Sequence, residues 1–72
     1  MPAIARNPET YWPTFSDAQR KAKRLAAEIG DSVFIMYSPG MGPNEQFCVQ
    51  RVAPLIGRWW HVYPDGLVIQ RG

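Results

Sequence analysis

The chain has 72 residues, of which 46% are hydrophobic and 19% charged, and its formal net charge is only +2. This length holds one domain with one core, and the composition is that of a globular rather than a disordered protein. The single cysteine, Cys48, excludes an internal disulfide and a cysteine-based zinc site within one chain.

Residues 1–13 are predicted to form an irregular N-terminal arm, which leaves residues 14–72 as a single domain. Proline removes a backbone donor and favours extended geometry in the residue before it. The arm contains three prolines: Pro2, Pro8 and Pro13. Because two adjacent large aromatics are poorly suited to a solvated tail, we expect Tyr11 and Trp12 to pack back onto the domain.

A helix is predicted over residues 17–29, because small and apolar residues recur there at helical spacing on one face. These residues are Ala18, Ala22, Leu25, Ala26 and Ile29. Ser16 is the predicted N-cap and Gln19 completes a capping box. Gly30 is predicted to end the helix in a left-handed conformation. The alanine-rich face predicts a close approach of the helix to a sheet.

Three or four antiparallel strands are predicted after the helix. Strand-forming residues are concentrated at 33–37, 46–52, 59–63 and 67–70, and proline or glycine interrupts them at 38–44 and at Pro54. The fold class is therefore α+β, with one helix packed on a small antiparallel sheet in the order α-β-β-β-β after a proline-rich arm.

The clearest turn is the segment 64–66, which reads Pro-Asp-Gly and predicts a three-residue hairpin loop. This loop fixes the register of the last two strands. It places Tyr63 opposite Leu67, His61 opposite Ile69 and Trp59 opposite Arg71. These residues share one face of the sheet, whereas Trp60, Val62 and Val68 share the other.

Both faces of the predicted sheet are apolar, and one helix can cover only one of them. We expect the helix to cover the face of Trp60, Val62 and Val68. The arm, a second copy of the chain or a partner would then cover the face of Trp59. The alternative is that the helix covers the face of Trp59, in which case Trp60 becomes the exposed anchor. The resulting surplus of apolar surface indicates an interaction site.

A partner-binding surface is accordingly predicted along the aromatic strand and its rim, because Trp, Tyr and Arg carry much of the energy of protein interfaces. Its residues are Arg58, Trp59, His61, Tyr63 and Arg71. Core packing and stacking on nucleic-acid bases are the alternatives for these aromatics.

The helix carries a basic patch on the side away from its apolar face. The patch consists of Arg20, Lys21, Lys23 and Arg24. Phosphates or an acidic protein surface could bind it. The favoured interpretation is a solvated helix face in which Arg24 pairs with Glu28, because the chain as a whole is only weakly basic.

Catalytic and metal chemistry find little support in the residue pattern. His61 is the only histidine, and a dyad with Cys48 would lack the glycine-rich oxyanion elbow or helix N-terminus that such chemistry uses. A metal site needs three or four ligands. The glycines at 40 and 42 precede a strand, whereas a phosphate-binding loop precedes a helix. We therefore expect no enzyme, no cofactor and no metal; Cys48 should be a small buried hydrophobe.

The sequence thus predicts a small non-enzymatic binding protein that acts through protein–protein contacts. Free-standing domains of this size are often accessory regulators or inhibitors of host machinery, as in phage-encoded anti-defence proteins. The alternative is a nucleic-acid-binding module. The N-terminus lacks a signal-peptide pattern and no apolar run reaches the ~20 residues of a membrane helix, so we expect a cytoplasmic protein without a membrane partner. A homodimer is a further candidate.

Overall fold

The computed structural model describes residues 10–72, which form one α-helix packed on a five-stranded antiparallel sheet. The elements are β1 (Thr10–Trp12), α1 (Phe15–Ile29), β2 (Val33–Tyr37), a short 3-10 turn (Pro39–Met41), β3 (Phe47–Gln50), β4 (Trp59–Val62) and β5 (Val68–Gln70). The predicted α+β class is confirmed.

The sheet has five strands, whereas three or four were predicted. Residues 10–12, which were assigned to the irregular arm, form β1 and pair with β3 in the register Tyr11 opposite Cys48. Pairing with a strand from later in the chain overrides the local effect of Pro13, which lies just beyond β1 and removes no ladder donor. The rest of the predicted arm lies outside the described residues.

The helix begins two residues earlier than predicted, and its N-cap is Thr14 rather than Ser16. Thr14 has an extended backbone, and its Oγ1 accepts a hydrogen bond from the Asp17 backbone N–H at 3.1 Å. The same hydroxyl donates to the Asp17 carboxylate at 2.8 Å, so the two residues cap each other. At the other end Gly30 has φ 66° and donates to the Ala26 carbonyl, as predicted.

The strand order is β1-β3-β2-β4-β5, so β2 lies in the centre between β3 and β4. Both neighbours are antiparallel to β2 and are therefore parallel to each other. Two connections must consequently cross the sheet: α1 joins β1 to β2, and residues 51–58 join β3 to β4. Such crossovers are nearly always right-handed, and in this strand order that rule puts the two connections on opposite faces.

Side-chain contacts agree with that placement. Gln50 alternates with the core residue Val49 and so belongs to the face opposite the helix, where its Nε2 donates to the Val52 carbonyl at 2.7 Å. Cys48, on the same face, is fully buried as predicted. The connection 51–58 thus begins on the face that the helix leaves open.

The core lies between the helix and one face of the sheet. Three fully buried alanines of α1 contact buried aliphatic residues of β2, β3 and β4. The core residues are Ala18, Ala22, Ala26, Val33, Ile35, Val49 and Val62. Trp60 and Val68 pack against this cluster, which confirms the predicted choice of face. Leu25 and Ile29 are half-buried at the helix flanks.

The β4–β5 hairpin has the predicted register. The Tyr63 N–H donates to the Leu67 carbonyl at 2.8 Å, and His61 lies opposite Ile69. Gly66 has φ 95°, and its N–H donates to the Tyr63 carbonyl. The Asp65 carboxylate accepts from the Leu67 N–H at 3.1 Å and so fixes the turn from within.

Candidate interaction surface

Four aromatic rings form a continuous row across β2, β4 and the start of the hairpin turn, on the face opposite the helix. The ring centroids are 5.9 Å apart from Trp59 to Phe34, 4.7 Å from Phe34 to His61 and 3.9 Å from His61 to Tyr63. All four rings are half-buried. We call this set the ring row; it contains the three predicted aromatics and adds Phe34.

Phe34 was not among the predicted site residues. It joins the row because β2 pairs with β4 and places Phe34 opposite His61. Alternation along β2 separates Phe34 from the core residues Val33 and Ile35. That alternation is visible in the sequence, but the partner strand is not, because β2 and β4 are far apart in the chain.

His61 is held in the row by contacts on two sides. Its Nε2 is 2.7 Å from the Ser32 hydroxyl, and its ring stacks on Tyr63 at an interplanar angle of 4°. Burial, and to a smaller extent the positive charge of Arg71, lower the pKa of the imidazole below its ordinary 6.5. The shift favours the uncharged ring, which stacks on Tyr63 without a charge between the two rings.

The geometry does not assemble the Cys48–His61 dyad that the sequence offered. Cys48 is on β3 and His61 on β4, so the whole of β2 lies between them. Their strands are about 9–10 Å apart at the usual spacing. Within residues 10–72, no group of three or more potential metal ligands comes together.

The two predicted rim arginines lie in different places. The Arg71 N–H donates to the Trp59 carbonyl at 2.9 Å, which keeps Arg71 beside the ring row. The Arg58 guanidinium lies 5.8 Å from the ring centroid of Tyr37, a residue that alternates with Met36 onto the helix side of the sheet. Trp59, His61, Tyr63 and Arg71 therefore share one surface. The side chain of Arg58 lies on the other side of the sheet, against Tyr37.

A second apolar feature lies in the connection between β3 and β4, which begins on this side of the sheet at Val52. Val52, Leu55 and Ile56 are 55%, 81% and 78% exposed, and we call them the apolar loop. Leu55 also has φ 71°, and no other non-glycine residue in the described part of the chain has positive φ. From the sequence, only a strand break at Pro54 was predicted here. The feature that could have indicated an exposed apolar loop is the pair Leu55 and Ile56 directly after that proline.

The predicted basic patch is solvent-facing, with Arg20, Lys23 and Arg24 exposed and Lys21 half-buried. The predicted pairing of Arg24 with Glu28 is not formed. Over the described residues the salt bridge present is Arg20 Nη1 to Asp17 Oδ1 at 3.4 Å. Arg20, Lys21 and Arg24 line a groove together with Trp12, whereas Lys23 does not.

No protein-family model, no curated protein and no solved structure matches this chain. Among residues 10–72, no helix has both the length and the apolar character needed to cross a membrane.

Proposed function

We propose that this protein is a non-enzymatic binding module that acts by covering the surface of a protein partner. Its contact surface would be the ring row together with the apolar loop. The observation that carries the proposal is Leu55, which is 81% exposed and has a left-handed backbone conformation.

Leu55 and its neighbour contribute little to the stability of the free protein. A left-handed conformation costs a non-glycine residue about 1–2 kcal/mol. Leaving a leucine or isoleucine side chain in water forgoes about 1.5–3 kcal/mol of burial. An interface that covered Leu55 and Ile56 would recover this burial energy, and strained, exposed residues of this kind concentrate at ligand-binding segments.

The ring row supports a protein partner better than a nucleic acid. Base stacking needs open ring faces, but His61 and Tyr63 already stack on each other at 3.9 Å. Leu67 lies opposite Tyr63 and is 52% exposed, which adds an aliphatic contact beside the rings. Protein interfaces combine such aromatic and aliphatic anchors with a charged rim, for which Arg71 is in position.

The proposed consequence for the partner is inhibition or accessory regulation. An interface of ordinary size takes about 800 Å² from each partner, which a 72-residue domain can supply from one face. Occupation of a partner's surface is the mode of action that this allows. The proposal takes the partner to be a cytoplasmic protein.

Site-specific photo-crosslinking tests the surface. A photoreactive residue at position 56 should crosslink a partner in lysate of the source cell, and the same residue at position 23, on the exposed helix face, should not. Ile56→Asp and Trp59→Ala should abolish capture while circular dichroism shows an intact fold. Equal crosslinking from both positions would contradict the proposed surface.

The same experiment also tests whether the partner is a second copy of this chain. Crosslinking of the protein to itself from position 56, with sedimentation showing a dimer that Ile56→Asp dissociates, would identify self-association as the use of this surface. Capture that survives both variants would refute the proposal.

A further inference from the structure

A groove separates the basic side of the helix from β1, on the face of the sheet that the ring row does not occupy. It encloses about 200 Å³ and is lined by Trp12, Asp17, Arg20, Lys21 and Arg24. The four helix residues recur at intervals of three and four, so they form one stripe along α1. Trp12 forms the opposite wall from the edge strand of the sheet.

The groove has an excess of positive charge. Three cations line it, and its one carboxylate is already engaged within the helix. Asp17 accepts from the Thr14 hydroxyl at 2.8 Å and from Arg20 at 3.4 Å. No carboxylate within salt-bridge distance neutralises Lys21 or Arg24 in the part of the chain that the structure describes. An anion in the groove would therefore meet two cations that have no other ionic partner.

The opposite wall contains a hydrogen-bond donor without an acceptor. The indole Nε1 of Trp12 has no acceptor among residues 10–72, and because it is buried a ligand oxygen can reach it only if the ring turns toward the groove. A buried polar group left without a partner destabilises a protein, and most such groups are satisfied by protein, water or ligand. A ligand oxygen that reached this N–H would remove that deficit.

We propose that this groove binds a phosphate group, supplied either by a free nucleotide or by a nucleic-acid backbone. A phosphate monoester offers three free oxygens and a phosphodiester two, so either can accept from Lys21 and Arg24 together. Arginine is well suited to phosphate because its guanidinium donates two parallel hydrogen bonds. This inference is independent of the proposed protein-binding surface, which lies on the other face.

NMR of the uniformly ¹⁵N-labelled full chain tests the proposal directly, because the three tryptophans give three indole N–H signals. Trp12→Phe identifies the signal of Trp12. Inorganic phosphate, AMP, oligothymidylate and oligoglutamate are titrated separately, with sodium chloride at equal ionic strength as the reference. The Trp12 signal should move with the phosphate-bearing ligands and stay in place with chloride.

Matched charge variants separate a built site from diffuse attraction. Lys21→Gln and Arg24→Gln should each weaken binding about tenfold, the effect of losing one hydrogen bond to a charged group. Lys23→Gln removes the same charge from the same helix outside the groove and should weaken binding less than about twofold. Both groove positions are on the helix surface, and circular dichroism of each variant checks that the helix is retained.

The ligand series also distinguishes the sources of phosphate. Movement with AMP or inorganic phosphate assigns a free phosphate compound, and movement with oligothymidylate alone assigns a nucleic-acid backbone. The proposal is overturned if no phosphate-bearing ligand moves the Trp12 signal, if oligoglutamate moves it equally, or if Lys23→Gln matches Arg24→Gln. Movement of the Trp59 signal in place of Trp12 would assign binding to the ring row and equally overturn it.

Discussion

The imidazole of His61 and the phenol ring of Tyr63 lie parallel, with an angle of 4° between their planes and 3.9 Å between their centroids. The two residues are separated by Val62, which points into the core, so both project from the open face of the sheet. Ser32 holds the edge of the imidazole through its hydroxyl at 2.7 Å. Protonation would place a charge in this half-buried stack beside Arg71.

Stability should therefore fall on acidification. Because burial and Arg71 lower the pKa of folded His61, the unfolded chain binds the proton more tightly than the folded chain. The contribution of neutral His61 is fully present above pH 6.5, the ordinary pKa, and is lost as the pH falls through the lower folded value. Urea unfolding should show a falling midpoint over this range. His61→Phe keeps a ring in the stack without a titrating group and should reduce the fall; an unchanged pH profile would contradict the assignment.

Ala22 should tolerate no larger side chain. It is fully buried where α1 meets the sheet, so Ala22→Leu would force the helix away from β2 and β3. Overpacking of this kind typically costs about 1–3 kcal/mol of unfolding free energy. Ala27→Leu is the matched control, because Ala27 is exposed on the same helix and should change stability by less than about 0.5 kcal/mol. Equal denaturation midpoints for the two variants would show that the alanine contact is not close-packed.

Gly66 should resist substitution for a conformational reason. Its φ is 95°, so Gly66→Ala should weaken the β4–β5 hairpin by about 1 kcal/mol or more in a denaturant melt. Gly40 has no positive φ and no atom near the position of an added Cβ. Gly40→Ala should accordingly be neutral or slightly stabilising. The turn assignment would be wrong if the two variants lost equal stability.

Leu55→Asn should stabilise the protein while impairing partner capture. Asparagine adopts the left-handed conformation more readily than leucine, and Leu55 is too exposed for its removal to cost much burial. We expect a gain of about 0.5–1 kcal/mol by thermal or denaturant melting. Ile56→Asn provides the comparison, since Ile56 is similarly exposed but lacks positive φ and should bring no gain. A loss of stability in Leu55→Asn would show that the leucine contributes to the fold.

The sequence predicted the parts of the fold that depend on neighbouring residues. The cap at Gly30, the turn at Gly66, the register of the last hairpin and the helix-covered face each follow from a short local pattern. The first strand was not predicted, because Thr10–Trp12 is a run of only three strand-forming residues between prolines and β1 exists only by pairing with β3. Ser and Thr are both good N-cap residues, so residue type alone does not distinguish Ser16 from Thr14. The end of β1 at Trp12 determines that the helix begins directly after Thr14.

The candidate surfaces, too, were predicted where they depend on a local pattern and missed where they depend on pairing between distant segments. Alternation along β4 placed Trp59 and His61 on one face. The addition of Phe34 required the β2–β4 pairing, and the position of Arg58 depended on the course of residues 51–58. The groove required β1, since Trp12 forms its wall only after the edge strand has formed. Pairings between distant segments therefore determined what sequence reasoning missed.

The central position of β2 governs the order in which the chain can acquire its fold. The β2–β3 hairpin is local and can form early, but its outer edges receive β1 and β4 only after long loops close. Until Trp59–Val62 reaches β2, the edge of an apolar hairpin is open to strands of other molecules. The yield of soluble protein should then depend on chain concentration during folding, so that dilute refolding succeeds where rapid expression gives aggregates.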